Sequence, residues 1–120
     1  MDLCSLSKLL DDLKSTENYL KKECGLTYKE AGMLCSIDLG FNEPAKLAKK
    51  LGLSPSRTSR IISSVEMKKL TLREASKIDK RIIYLKLSKT GNDLLKQIRE
   101  TKLPIPLYLQ DVLEQLDIEN

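Results

Sequence analysis

From Ser54 to Ser64, five of eleven residues are serine, and Arg57 and Arg60 stand among them. Ile61, Ile62 and Val65 fall on one side of a helix drawn through this segment. Ser56, Arg57, Ser59, Arg60, Ser63 and Ser64 are left largely on the other. Short hydroxyls let a helix backbone come close to another surface, while arginines reach past them with a planar fork of N–H donors. That combination suits the major groove of duplex DNA, where arginine can span guanine O6 and N7 or hold a flanking phosphate. Serine is a mediocre helix former, so such a density of it is costly on a face with no task. A second cluster follows in the polar connection 75–80 and the residue after it, where Lys77, Lys80 and Arg81 gather and Asp79 is placed to pair with an arginine. Cationic side chains at the tip of a hairpin suit the negative potential of a minor groove. The candidate DNA-contacting residues are therefore Ser54, Ser56, Arg57, Ser59, Arg60, Ser63, Lys77, Lys80 and Arg81.

Both clusters lie in a basic block. The net charge is only +4, but residues 46–89 hold 13 Lys or Arg against 3 Asp or Glu, a local charge of +10. The remainder carries 8 basic and 14 acidic residues, a charge of −6. Charge segregated in this way provides an electrostatic footprint for phosphates, because neutralising them releases condensed counterions.

The elements that must position these residues can be read from caps and periodicity. Leu3, Leu6, Leu10, Leu13 and Leu20 form a helical stripe over residues 3–24, and Gly25 ends it. The stripe fits a heptad seam as well as a globular face. Thr27-Tyr28-Lys29-Glu30 reads as a capping box that opens a second helix, which runs to about Leu39. Pro44 suits the first turn of a short third helix to Leu51, and Gly52 closes it. Ser54-Pro55 then supplies an N-cap and a first-turn proline for a fourth helix over 54–69. Two helices joined so tightly must cross steeply. Strands are expected at 70–74 and 81–87, giving a hairpin wing over 72–87. Ser88 caps a further helix to about Lys102, Pro104 and Pro106 break it, and Leu109, Val112, Leu113 and Leu116 mark a last helix over 107–118. The expected fold is mainly α with a small β-hairpin wing, a winged helix-turn-helix in one domain over 1–120.

Several chemistries are disfavoured. With no histidine, serine–histidine and cysteine–histidine nucleophilic catalysis have no base, and Gly-rich phosphate loops are lacking. Cys4, Cys24 and Cys35 match no zinc spacing. The expectation is no enzyme, no cofactor and no metal. Apolar runs fall short of the roughly 20 residues that span a bilayer, and the N-terminus lacks the pattern of a signal peptide, which points to a cytoplasmic protein without membrane partners.

Over residues 26–95 the chain resembles the MarR family of bacterial winged-helix regulators. The resemblance is carried by Leu26-Thr27 with Met33-Leu34, Leu47-Ala48, Leu51-Gly52-Leu53-Ser54 and Ser59-Arg60-Ile61-Ile62. It continues through Glu66, Leu70, Arg73, Asp79-Lys80-Arg81, Leu87-Ser88, Gly91 and Leu94-Leu95. It implies a homodimer built by helices over 3–24 and 89–118 around a DNA-binding lobe over 26–88, which reads pseudo-palindromic operators and usually represses transcription. It also implies that Ser56, Arg57, Ser59, Arg60 and Ser63 stand at major-groove positions and Arg81 at the wing tip in the minor groove. Some members sense phenolic small-molecule effectors and others sense peroxides through a cysteine near the N-terminus, where this chain has Cys4. Two residues depart from the pattern: Lys69 replaces a glycine at the end of the recognition helix, and Thr58 replaces an aliphatic residue. The alternative is a winged-helix interaction module whose basic face meets an acidic protein instead of DNA.

Overall fold

The computed structural model describes residues 2–119, with only the backbone for 117–119. In chain order it contains α1 (Leu3–Cys24), α2 (Tyr28–Asp38), α3 (Pro44–Leu51), α4 (Pro55–Met67), β1 (Thr71–Ala75), β2 (Ile83–Leu87), α5 (Lys89–Glu100) and α6 (Leu107–Glu119). Contacts divide the chain into two compact units. One spans Leu26–Thr101, and the other is formed by the chain ends, up to Gly25 and from Lys102. α5 belongs to the central unit and α6 to the terminal one. The break at Pro104 and Pro106 lies in the intervening loop.

The central unit is organised around α2, which packs against α3, α4, α5 and β2. Its core is made by Leu26, Met33, Leu34, Leu47, Val65, Leu85 and Leu95, all nearly inaccessible to solvent. Burial of these side chains supplies the main driving force for the unit, about 1.5–3 kcal/mol for each large aliphatic. The caps read from the sequence are present. Thr27 Oγ1 accepts the Glu30 N–H while the Glu30 carboxylate accepts the Thr27 N–H, Ser54 Oγ accepts from Arg57 N–H, and Ser88 Oγ accepts from Gly91 N–H.

β1 and β2 pair antiparallel, with Thr71 opposite Leu87 and Ala75 opposite Ile83. The strands begin later than the expected 70 and 81. Leu70 is drawn into the end of α4, where its N–H donates to Val65 O (3.0 Å) and the Lys69 N–H to Glu66 O (2.8 Å). This pair of bonds closes a helix only if the residue between its last turn and the strand is left-handed. Lys69 takes that conformation, with φ 62°, and is the only non-glycine residue among those described with positive φ. It carries a backbone cost of about 1–2 kcal/mol that glycine would avoid. The fourth helix, α4, therefore stops at Met67, short of the expected residue 69. At the second strand, Ile82 N–H is used within the tip turn, donating to Asp79 O (3.0 Å), so pairing starts at Ile83.

The hairpin is anchored at two further places. Leu85 N–H donates to Asn42 O (2.7 Å) in the loop before α3, and Ser88 binds back to the start of β1 through its N–H to Leu70 O (3.0 Å) and its hydroxyl to Lys69 O (2.7 Å). Two strands alone are marginal, so these bonds and the buried Leu85 hold the wing to the helical body.

In the terminal unit, Thr16 is buried and its hydroxyl faces both Asp12 O (3.1 Å) and Pro104 O (3.0 Å) as a donor. Tyr108 donates its hydroxyl to the Asp12 carboxylate, which also faces Lys8 Nζ at 3.2 Å. The Tyr108 hydrogen bond first, and Lys8 second, hold the Asp12 carboxyl below its ordinary range. The leucine stripe of α1 divides: Leu20 is buried, whereas Leu3, Leu6, Leu10 and Leu13 stay exposed. Leu107, Val112, Leu113 and Leu116 of α6 are exposed as well.

At Gly91 the chain passes so close to the start of the wing that a Cβ would stand 2.0 Å from Leu70 O. Gly91→Ala should lower unfolding stability by about 3 kcal/mol, as forced overpacking does. Urea unfolding measures this directly, and a loss under about 0.5 kcal/mol, the ordinary range for a surface change, would contradict the close approach.

Candidate nucleic-acid interface

The helix expected to carry the candidate contacts is built as its composition requires. Thr58, Ile62 and Val65 are buried, and Ser54, Ser56, Arg57, Ser59, Arg60 and Ser63 are all exposed. Thr58 is only 1% exposed, and its hydroxyl donates to Ser54 O at 2.8 Å, so the departure from an aliphatic residue leaves no unsatisfied group. Ser54 is committed to capping, with its Oγ 3.4 Å from Ser56 Oγ. Toward the C-terminal end, Ser59, Arg60, Ser63, Ser64, Met67 and Lys68 line a shallow open groove on the outer side of the helix.

Ser64 belongs to the anchoring of the helix, not to its free face. Its hydroxyl donates to Glu30 Oε2, and Lys68 Nζ lies 2.7 and 2.9 Å from the two oxygens of the same carboxylate. Glu30 is 5% exposed. Burial pushes its carboxyl up, but the hydrogen bonds from Lys68, Ser64 and the Thr27 N–H outweigh this and hold it below its ordinary value of 4.5. The group that caps α2 thus also ties down the C-terminal half of α4. The sequence signal was half visible: the capping box was legible, and Ser64 and Lys68 share a helix face at a spacing of four, but nothing in the spacing joined them to Glu30.

A second unforeseen pair sets the wing against the same helix, with Arg73 Nε on β1 donating to Glu66 Oε1 on α4 at 2.7 Å. The wing tip itself is tightly bonded. Ser76, 8% exposed, accepts the N–H groups of Ile78 (3.2 Å) and Asp79 (3.3 Å) on its Oγ, and donates its own N–H to Ile82 O (2.9 Å). Asp79 pairs with Arg81, as the sequence suggested: Nε to Oδ1 and Nη2 to Oδ2 are both 3.1 Å, and Arg81 N–H adds a third bond of 3.0 Å. These Arg81 bonds keep the Asp79 carboxyl below its ordinary range. The Arg81 side chain is nevertheless 91% exposed, and Lys77 and Lys80 are exposed beside it. The central unit therefore exposes all nine candidates on α4 with its N-cap and on the wing tip, and the Glu66–Arg73 bond ties α4 to β1, the strand that leads to that tip.

No other chemistry gathers. Among the described residues, no group of three or more His, Cys, Asp or Glu could hold a metal ion, and no helix is long and apolar enough to cross a membrane. Cys4 is exposed, while burial pushes the thiols of Cys24 and Cys35 up, away from the thiolate.

No family model matches the chain, and neither does any curated protein sequence. Solved structures do match. Apo MarR from E. coli superimposes with a TM-score of 0.73 at 20% identity, over 98% of this chain and 93% of that one. The S. aureus MepR–DNA complex gives 0.70 at 18%, over 99% and 84%, and YusO from Bacillus subtilis 0.67 at 20%, over 81% and 70%. The fold is that of the MarR-type winged-helix regulators. At these identities the likeness carries the architecture, and the MarR-type fold confirms the mainly α, hairpin-winged class expected from the sequence.

The Glu30 bonds generate a test. A group whose folded pKa is depressed adds stability above its unfolded pKa, and that stability is lost as pH falls through the folded value. Glu30→Gln, which removes the charge facing Lys68, should cost about 2 kcal/mol at neutral pH. The gap to the wild type should narrow as the pH is lowered through the acid range. Urea unfolding at several pH values measures this, and a constant gap would mean that the carboxylate charge has no role.

Proposed function

We propose that this protein is a sequence-specific, double-stranded-DNA-binding transcription regulator that acts as a homodimer and represses its targets. In this reading α4 enters the major groove and the wing reaches the minor groove. The observation that carries it is the exposed face of Ser56, Arg57, Ser59, Arg60 and Ser63, mounted in one compact unit with the exposed cations Lys77, Lys80 and Arg81. The first set has the reach and donors for base edges, and the second has the charge for a narrow anionic groove. Solved structures of the same fold include S. aureus MepR with DNA and a mutant of E. coli MarR with operator DNA.

Homodimerisation is supported by the apolar residues left exposed on both terminal helices, Leu3, Leu6, Leu10 and Leu13 on α1 and Leu107, Val112, Leu113 and Leu116 on α6. On each helix these residues recur at helical spacing, the pattern of a face that another helix could cover. A two-fold dimer would present two copies of α4 to successive turns of one DNA face, matching a pseudo-palindromic site.

Retardation of mixed genomic DNA in a gel, followed by selection of the tightest-bound fragments, tests the proposal. Binding should weaken steeply with added salt, and Arg60→Ala should lose about 1–3 kcal/mol on the selected fragments and relax their sequence preference. The absence of retardation even at low salt would overturn the reading in favour of a module that binds an acidic protein.

A further inference from the structure

The most exposed large hydrophobic side chain of the described residues is Ile78, 98% accessible, and it stands at the tip of the wing. Its position is chemically odd. Turn tips select Gly, Pro, Asn, Asp or Ser, which supply backbone freedom or local hydrogen bonds. An isoleucine here does neither, and its side chain is almost wholly open to solvent. The mount beneath it is firm: the Ile78 N–H is held by the buried Ser76 hydroxyl, the next N–H shares that acceptor, and the turn is closed by Ile82 N–H to Asp79 O and by the Asp79–Arg81 bonds. Around this apolar point stand Lys77, Lys80 and Arg81, with one carboxylate, Asp79, already engaged by Arg81.

A hydrogen-bonded turn that carries one exposed aliphatic side chain and three exposed cations has a specific complement. It needs an anionic rim for the cations and an apolar interior for the isoleucine, within a slot narrow enough for a hairpin tip. The minor groove of duplex DNA provides both, with phosphates along its edges and base faces that become accessible when a step is partly unstacked. Resting on the DNA-binding reading above, we propose that Ile78 is a wedge that inserts from the wing tip into the minor groove at a base step and bends the duplex there. Lys77, Lys80 and Arg81 hold the flanking backbone, and the isoleucine selects steps that unstack readily. Pyrimidine–purine steps deform most easily, so the wedge adds sequence preference at a position where no hydrogen bond reads a base.

The experiment compares wild type, Ile78→Ala, Ile78→Met and Arg81→Ala on a selected genomic fragment and on mixed genomic DNA. It reads affinity at several salt concentrations, and DNA bending by energy transfer between end-labelled dyes. Wild-type retardation of mixed DNA is established first, and its absence would fail the DNA-binding reading itself before any variant is compared. Given that binding, Ile78→Ala should weaken binding to the selected fragment about tenfold, the scale of one aliphatic burial lost. It should also abolish most of the bend, while binding to mixed DNA and the salt slope stay as in the wild type. Ile78→Met, apolar and flexible, should restore the bend. Arg81→Ala should lower the salt slope. Since Ile78 is solvent-exposed, the thermal melt of the alanine variant should match the wild type and so separate a contact effect from a folding one. Unchanged affinity and bend in Ile78→Ala, or an equal loss on selected and mixed DNA, would overturn the wedge.

Discussion

A single buried carboxylate organises the presentation of α4. An ionised glutamate is expensive to bury unless every lone pair is engaged, and Glu30 meets that condition with donors from three places: its own cap at Thr27, Ser64, and Lys68. Because two of those donors sit on α4 and the residue that caps it, satisfying the charge also fixes the position of that helix against α2. Movement of α4 away from this position would strand a buried charge, so the geometry of the outer serine–arginine face is held by an electrostatic penalty as well as by the packing of Ile62 and Val65.

The wing depends on the same helix for its placement. Glu66 receives Arg73 from β1, the left-handed Lys69 turns the chain from helix into strand, and Gly91 lets α5 cap closely over Leu70. Each acts at or beside the α4–β1 junction. Arg57, Arg60, Lys77 and Lys80 project from a braced frame, an arrangement that keeps their donors and charges available to a ligand while limiting the freedom of the elements that bear them.

Much of this was legible in the residues, because the elements announce their ends by local chemistry. Thr27 with Glu30, Ser54 with Pro55, Ser88, and the glycines at 25 and 52 mark helix boundaries through interactions that span a few residues, and the structure places caps at each of them. The apolar period likewise separated Ile62 and Val65 from the outer face of α4. What periodicity could not supply was the long-range partner. Glu30 lies 34 residues from Ser64 and 38 from Lys68, so Ser64 read as one more free hydroxyl. The strand starts were misjudged for a related reason: Leu70 and Ile82 are apolar and look like strand residues, but their backbone N–H groups are taken by the helix end and the tip turn. Which part of the α1 stripe is covered was equally invisible, since a leucine stripe has the same period whether it is buried, as at Leu20, or exposed, as at Leu3 and Leu10.

Amide hydrogen exchange tests most directly whether α4 and the wing tip act together as one nucleic-acid surface. Exchange would be followed for the protein alone and with a saturating DNA fragment recovered by its binding. The account predicts that protection on adding DNA concentrates in two stretches, 54–63 and 76–81, while α2 and α5 keep the exchange rates of the free protein. Protection that falls elsewhere, with both of those stretches unchanged, would contradict it.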